Sequence, residues 1–207
     1  MSERMMEVGL ILMSLAAGVG VVAFLLNGKG FVSRAVSLFT DFIVFLWIGK
    51  IVGNFSLLIR DPFAVLAYPA GSQSFYIAVG LTAVSLLYRR KRETNSAGFK
   101  VFLLQVLLLS AFFYEFLQYF YARHDSVVLN LLLYGMLAAN VILFRLPERQ
   151  AIRLSVLLWS IGAIVILQMV GLITLFGIVL SPWFVLLLLL SFAVASLTFT
   201  KQKVGIL

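Results

Sequence analysis

RRKRETNSAGFKVFLLQVLLLSAFFYEFLQYFYA, residues 89–122, sets four bases in a row, Arg89 to Arg92, ahead of 22 residues, 101–122, that carry a single charge, Glu115. An apolar run of roughly 20 residues matches the hydrocarbon thickness of a bilayer, and the cytoplasmic flanks of such runs retain Lys and Arg. The stretch therefore predicts a spanning helix that begins on the cytoplasmic side.

Six further apolar stretches lie outward from it, at about 7–27, 35–59, 72–88, 126–144, 154–176 and 182–200. Each is near spanning length, and Pro182 divides the last long apolar run in two. Counting Lys and Arg in alternate connections tests both the number of helices and their direction. One set holds twelve: Lys29, Arg34, Arg89, Arg90, Lys91, Arg92, Lys100, Arg145, Arg149, Arg153, Lys201 and Lys203. The other holds three, Arg4, Arg60 and Arg123, and Lys50 stands inside a helix. A six- or eight-helix reading scrambles this alternation. The sequence thus predicts an all-α polytopic membrane helix bundle of about seven transmembrane helices, with the amino terminus outside and the carboxyl terminus in the cytoplasm.

Composition agrees. Of the 207 residues, 63% are hydrophobic and 12% charged, about half the charge of a soluble domain. One membrane domain over 1–207 is expected, in the bacterial cytoplasmic membrane if the family resemblance described below holds. The net charge of +8 comes from short basic clusters between apolar runs, where bases orient helices, so no nucleic-acid partner is expected. Cysteine is absent and His124 is the single histidine, which excludes thiolate nucleophiles, disulfides and a histidine metal cage. No cofactor is expected. Met1 to Glu7 holds two acids against one base, unlike a signal peptide, and the first stretch reads as a retained helix. Within it Ala16, Gly20 and Ala23 form a small-residue face suited to close helix contact.

Ionisable residues inside spans are costly and turn toward the bundle interior, which makes them the first candidates for function. Lys50 stands about nine residues from the outer end of the second stretch, and Glu115 about seven from that of the fourth, roughly 10–14 Å below the outer boundary. Asn54 shares a helix face with Lys50, and Gln118 shares one with Glu115. Gln73 and Tyr76 at the start of the third stretch and Asn130 early in the fifth add to a polar collection in the outer half. Two readings stay open. One is a polar cavity open to the outer leaflet, in which Lys50 holds a phosphate or carboxylate. The other is a buried Lys50–Glu115 pair that fixes helix register. The ligand-binding candidates are Lys50, Asn54, Gln73, Tyr76, Glu115 and Gln118. No phosphate-cradling loop, serine elbow or metalloprotease helix is present.

The order of these features over 35–145 resembles the carboxyl-terminal half of bacterial prolipoprotein diacylglyceryl transferase. Gly49-Lys50-Ile51-Val52-Gly53-Asn54-Phe55 is similar to the Arg-Ile-Gly-Asn-Phe element of that family. Pro69-Ala70-Gly71-Ser72-Gln73-Ser74-Phe75-Tyr76 resembles its Pro-Ser-Gln-Leu-Tyr-Glu helix start, Arg89 to Arg92 its basic inner loop, and Leu108 to Phe120 its later Arg- and Glu-bearing helix. The departures are specific. Lys50 replaces an arginine and stands one residue further from Asn54, Tyr114 and Gln118 replace an arginine and a glutamate, and the histidine-glycine-glycine motif has no counterpart. A lysine lacks the planar two-point grip of arginine on phosphate.

The resemblance therefore implies a degenerate, non-catalytic relative that keeps a site for a lipid headgroup or lipid-linked ligand, with an anionic phospholipid as partner and 146–207 as an added helix pair. Were catalysis retained, Lys50 would fix the headgroup and Glu115 would serve as acid or base, a chemistry the spacing does not demonstrate. Two rivals stand beside this expectation. One is a small-solute transporter or its membrane substrate-binding subunit; the other is a non-catalytic assembly partner of another membrane protein.

Overall fold

The computed structural model describes residues 2–26, 29–61, 65, 71–89, 97–121, 125–143 and 147–190. The basic loop at 90–96, most of the outer segment 62–70 and everything from 191 onward, including Lys201 and Lys203, lie outside the described residues. In chain order the elements are α1 (Ser2–Leu25), α2 (Lys29–Gly53), α3 (Phe55–Arg60), α4 (Ser72–Arg89), α5 (Ala97–Tyr121), α6 (Asp125–Leu143), α7 (Glu148–Val170), β1 (Ile173–Leu175) and β2 (Ile178–Leu180). Residues 182–190 are helical again. The architecture is a helical bundle with one small hairpin.

Four of these helices are long and apolar enough to cross a membrane, over Met6–Leu25, Gly30–Gly53, Gly98–Tyr121 and Gln150–Val170. Shorter apolar helices run over Ser72–Leu86 and Ser126–Asn140. Large apolar side chains stand bare on the surface, Phe24, Ile59 and Met136 among them, far beyond the patches that water-soluble monomers expose. Helix α5 is the most covered of the long helices, with Phe102, Val106 and Glu115 wholly or almost wholly buried.

The chain divides into two compact units, one of Val19–Leu103 and one of Met1–Gly18 with Leu104–Leu207. The boundary near Leu103 cuts through 35–145, so that stretch belongs to both units. In the Val19–Leu103 unit the chief contact is α2 against α4. It is made possible by Gly49, where a Cβ would lie 2.5 Å from the Ser74 carbonyl oxygen. Backbones approach this closely only at small residues, and Ala35 and Ala78 are both fully buried. At the far end of α2 the Arg34 guanidinium lies over the Phe99 ring, 4.4 Å from its centroid, and Phe31 packs between Phe99 and Phe102.

The second unit gathers α5, α6, α7 and the hairpin with the start of α1. Gly18 meets the backbone of Ser110, whose nitrogen would stand 2.9 Å from an added Cβ. The contact face of α1 is therefore Ser14 and Gly18. Gly20, expected in that role with Ala16 and Ala23, has nothing among the described residues within 4 Å of an added Cβ, and Ala16 is exposed. Gly135 faces the Phe112 ring, and Gly162 takes the Leu133 side chain.

Two breaks correct the predicted helix bounds. The second stretch, expected to run to 59, stops at Gly53 and resumes as α3. At Asn54 the backbone leaves helical geometry (φ −124°, ψ 36°) while its side-chain amide donates to the Lys50 carbonyl at 3.0 Å. The same carbonyl accepts the Asn54 backbone N–H at 3.0 Å, so the side chain reinforces the last helical bond at the break. Lys50 thus stands in the last turn of α2 and not nine residues from a helix end.

The sixth stretch, expected to run to 176, ends at Val170. Gly171 caps α7 in the left-handed conformation (φ 78°), its N–H donating to the Leu167 carbonyl, the common glycine stop. The next residues are rich in β-branched side chains, which favour strands. They pair antiparallel as Ile173↔Leu180, Thr174↔Val179 and Leu175↔Ile178. Phe176 and Gly177 both hold positive φ, 51° and 76°, the two-residue turn whose twist suits a hairpin. Ile173 and Leu180 are fully buried, so the hairpin is part of the core of its unit.

Candidate functional site

The six predicted site residues fall into two groups. Lys50, Asn54, Gln73 and Tyr76 belong to the Val19–Leu103 unit, and Glu115 and Gln118 to the other.

The first group assembles where α2 ends against the start of α4. Close approach at Gly49 and Ser74 brings the Gln73 side chain over Gly53, where a Cβ would lie 3.9 Å from its Oε1. Asn54 is tied to Lys50 through its backbone carbonyl. The Lys50 ammonium lies 5.6 Å from the Trp47 ring centroid; Lys50 is half-buried, and no carboxylate pairs with it among the described residues. A cation in the last turn of a helix is favoured by the backbone dipoles, and the lysine–tryptophan pair is the combination that gathers at membrane–water boundaries. Gln73 is exposed, and Tyr76, one turn further along α4, is half-buried beside Phe75. The group offers one cation and two amides at a helix break, a set suited to an anionic, hydrogen-bonding ligand.

The second group has a different character. Glu115 is fully buried on α5, six residues before Tyr121 and about 9 Å from that helix end. Its partner is the hairpin: the Thr174 hydroxyl donates to Glu115 Oε1 at 3.2 Å and accepts from the Asn130 amide nitrogen at 2.7 Å. The Tyr134 hydroxyl, one turn beyond Asn130 on α6, donates to the Thr174 carbonyl at 3.0 Å. Asn130 and Tyr134 are themselves buried. The hairpin tip lies against α5, with the Phe176 ring edge-on to Tyr114 at 5.8 Å between centroids. Strand backbone inside an apolar bundle is tolerated only where protein covers it, and α6 and α7 pack against β1, with Tyr134 bonding its Thr174 carbonyl. Gln118 is half-buried one turn further along α5.

Thr174 and Tyr134 were not among the predicted site residues. The available signal was slight: Thr174 is the only polar side chain between Gln168 and Ser181, within a run bracketed by Gly171 and Gly177. Among the described residues no group of three or more acidic or histidine side chains is placed to hold a metal ion. Compared with protein-family models, curated proteins and solved structures, the chain matches none.

Proposed function

We propose that this protein is a multi-pass protein of the cell membrane, with about seven spans and its amino terminus outside, that binds a lipid headgroup or lipid-linked ligand at the outer end of α2 and α4. The ligand is anionic, an anionic phospholipid being the simplest case, and Lys50 is its counter-charge. Asn54 and Gln73 donate or accept hydrogen bonds around it, and Tyr76 lies behind them. The observation that carries this reading is the position of Lys50 at a helix break beside Trp47, with its ammonium outside any carboxylate pair among the described residues. The resemblance of 35–145 to a lipoprotein lipid transferase supports the same ligand class, and the loss of that family's arginines and histidine motif supports binding without catalysis.

The test is native mass spectrometry of the protein released from lipid nanodiscs, comparing wild type with Lys50→Ala and Glu115→Gln. Retention of an anionic phospholipid by wild type and Glu115→Gln, with loss in Lys50→Ala, is the expected result. Equal retention in all three proteins removes the headgroup site.

One observation favours a second reading, the small-solute transporter. Non-helical backbone against a buried carboxyl is how many transporters build their ion and substrate sites, and β1–β2 against Glu115 has that form. Saturable uptake by proteoliposomes, abolished in Thr174→Val and preserved in Lys50→Ala, would select it.

A further inference from the structure

Hydrogen-bond accounting around Glu115 leaves two atoms over. Buried polar atoms in folded proteins almost always have partners, and each exception calls for a physical reason. Among the described residues Glu115 Oε2 and Asn130 Oδ1 are buried with none. Both residues are fully inaccessible. Both hang on the same Thr174 hydroxyl, at 3.2 and 2.7 Å, and the Asn130 amide lies beside the carboxyl.

The two orphans are both acceptors if Glu115 is ionised, and two acceptors cannot satisfy one another. They become a donor and an acceptor as soon as one proton is added. Glu115 Oε2–H then donates to Asn130 Oδ1, Asn130 Nδ2 donates to Thr174 Oγ1, and Thr174 Oγ1–H donates to Glu115 Oε1. The result is a closed, uncharged ring in which every one of these buried groups has a partner.

We propose that Glu115, Asn130 and Thr174 form a proton-binding site, in which one proton taken from water on Glu115 completes the ring and latches the β1–β2 hairpin to α5 and α6. An ionised carboxylate in so apolar a place is costly unless paired, and among the described residues none forms an ion pair with Glu115. The donors beside it, Thr174 and Asn130, are neutral, and the nearby ionisable groups supply no positive charge. Tyr114 on its own helix and Tyr134 on α6 are neutral phenols within electrostatic reach, and Glu7 on α1, which reaches Tyr114, adds no positive charge. Loss of the proton leaves Oε2 and Oδ1 both as acceptors without a donor and loosens the hold of α5 and α6 on the hairpin, which Thr174 carries through its hydroxyl. The site is independent of the Lys50 reading, since it lies in the other unit and uses none of the same residues.

Infrared difference spectroscopy of the full-length protein in nanodiscs tests it. Wild type at neutral pH is expected to show the carbonyl band of a protonated carboxylic acid, lost in Glu115→Gln, whose amide reproduces the ring and keeps the protein folded. Thr174→Val, which removes the donor to Oε1, is expected to shift the band upward in frequency, an assignment that holds even if the glutamine variant does not fold. A wild-type protein without the band overturns the proposal. So does a band unchanged in both variants. Melting that rises with sodium and not with acidity also overturns it, because the occupant would then be a monovalent cation.

Discussion

Gly177 at the hairpin turn lies directly against the hydroxyl of Tyr114, so that a Cβ on Gly177 would stand 2.5 Å from the phenol oxygen. Two separate constraints meet at this glycine, its left-handed φ of 76° and the absence of room. Gly177→Ala is expected to destabilise the protein by about 2–4 kcal/mol, combining the strain of a side chain at positive φ with overpacking. Thermal unfolding in detergent measures it. Tyr114→Phe, which removes the oxygen, should recover part of the loss in the double variant but leave the backbone part.

Thr174→Val keeps the shape of the side chain and removes only its hydroxyl. Glu115 Oε1 and the Asn130 amide then lose their shared partner, and each buried polar group left unpaired costs about 1–3 kcal/mol. Thr174→Ser, which keeps the hydroxyl, should lie much closer to wild type in the same unfolding measurement. Equal losses in both would mean that the methyl group and not the hydroxyl holds the hairpin.

The helices were legible in the sequence because long apolar runs declare themselves without any knowledge of neighbours. The breaks were not. Ile173 to Leu180 is apolar almost throughout, and a short apolar run does not distinguish strand from helix by periodicity; only Gly171, Gly177 and the β-branched residues hinted at a hairpin. The break at Asn54 is a local change of backbone geometry that hydropathy does not see. The polar candidates Lys50, Asn54 and Gln73 were legible as a group because helix spacing and proximity to a connection are sequence properties. The partner of Glu115 was not, since Thr174 lies 59 positions away in the chain and nothing in the spacing of α5 points to it. In α1 the expected contact face was Ala16, Gly20 and Ala23, and it is Gly18, not named there, that meets the Ser110 backbone.

Gly49 and Gly20 make a matched comparison. An alanine at Gly49 meets the Ser74 backbone oxygen at 2.5 Å, which moves only if α2 and α4 separate, and Gly49→Ala is expected to cost about 2 kcal/mol or more. Gly20 has open space around it among the described residues, so Gly20→Ala should stabilise by up to about 1 kcal/mol through helix propensity alone. Paired melting curves in one detergent decide this.

Lys50 variants separate charge from shape. Lys50→Arg adds a planar, two-point donor and is expected to retain anionic phospholipid at least as well as wild type. Lys50→Glu should retain about tenfold less, the equivalent of losing roughly 1.4 kcal/mol of charge-assisted contact. Native mass spectrometry against a nanodisc series of rising anionic lipid content reads both.

The chain contains no cysteine, so single introduced thiols report sidedness without background. Asp61 follows α3 and is exposed, and Tyr88 is 82% exposed near the end of α4. With the amino terminus outside, Asp61→Cys should react with a membrane-impermeant maleimide in intact cells and Tyr88→Cys only after permeabilisation. The reverse pattern would invert the topology.

The hairpin also dictates an order of events at the ribosome. Glu115 leaves the tunnel 59 residues ahead of Thr174, and Asn130 leaves 44 residues ahead of it. At about 5–20 residues per second, the carboxyl waits roughly 3–12 s for the hydroxyl that will bind it. Until then the polar groups of α5 and α6 stand unclaimed, and a nascent chain stalled short of residue 174 lacks the hydroxyl that pairs its buried carboxyl.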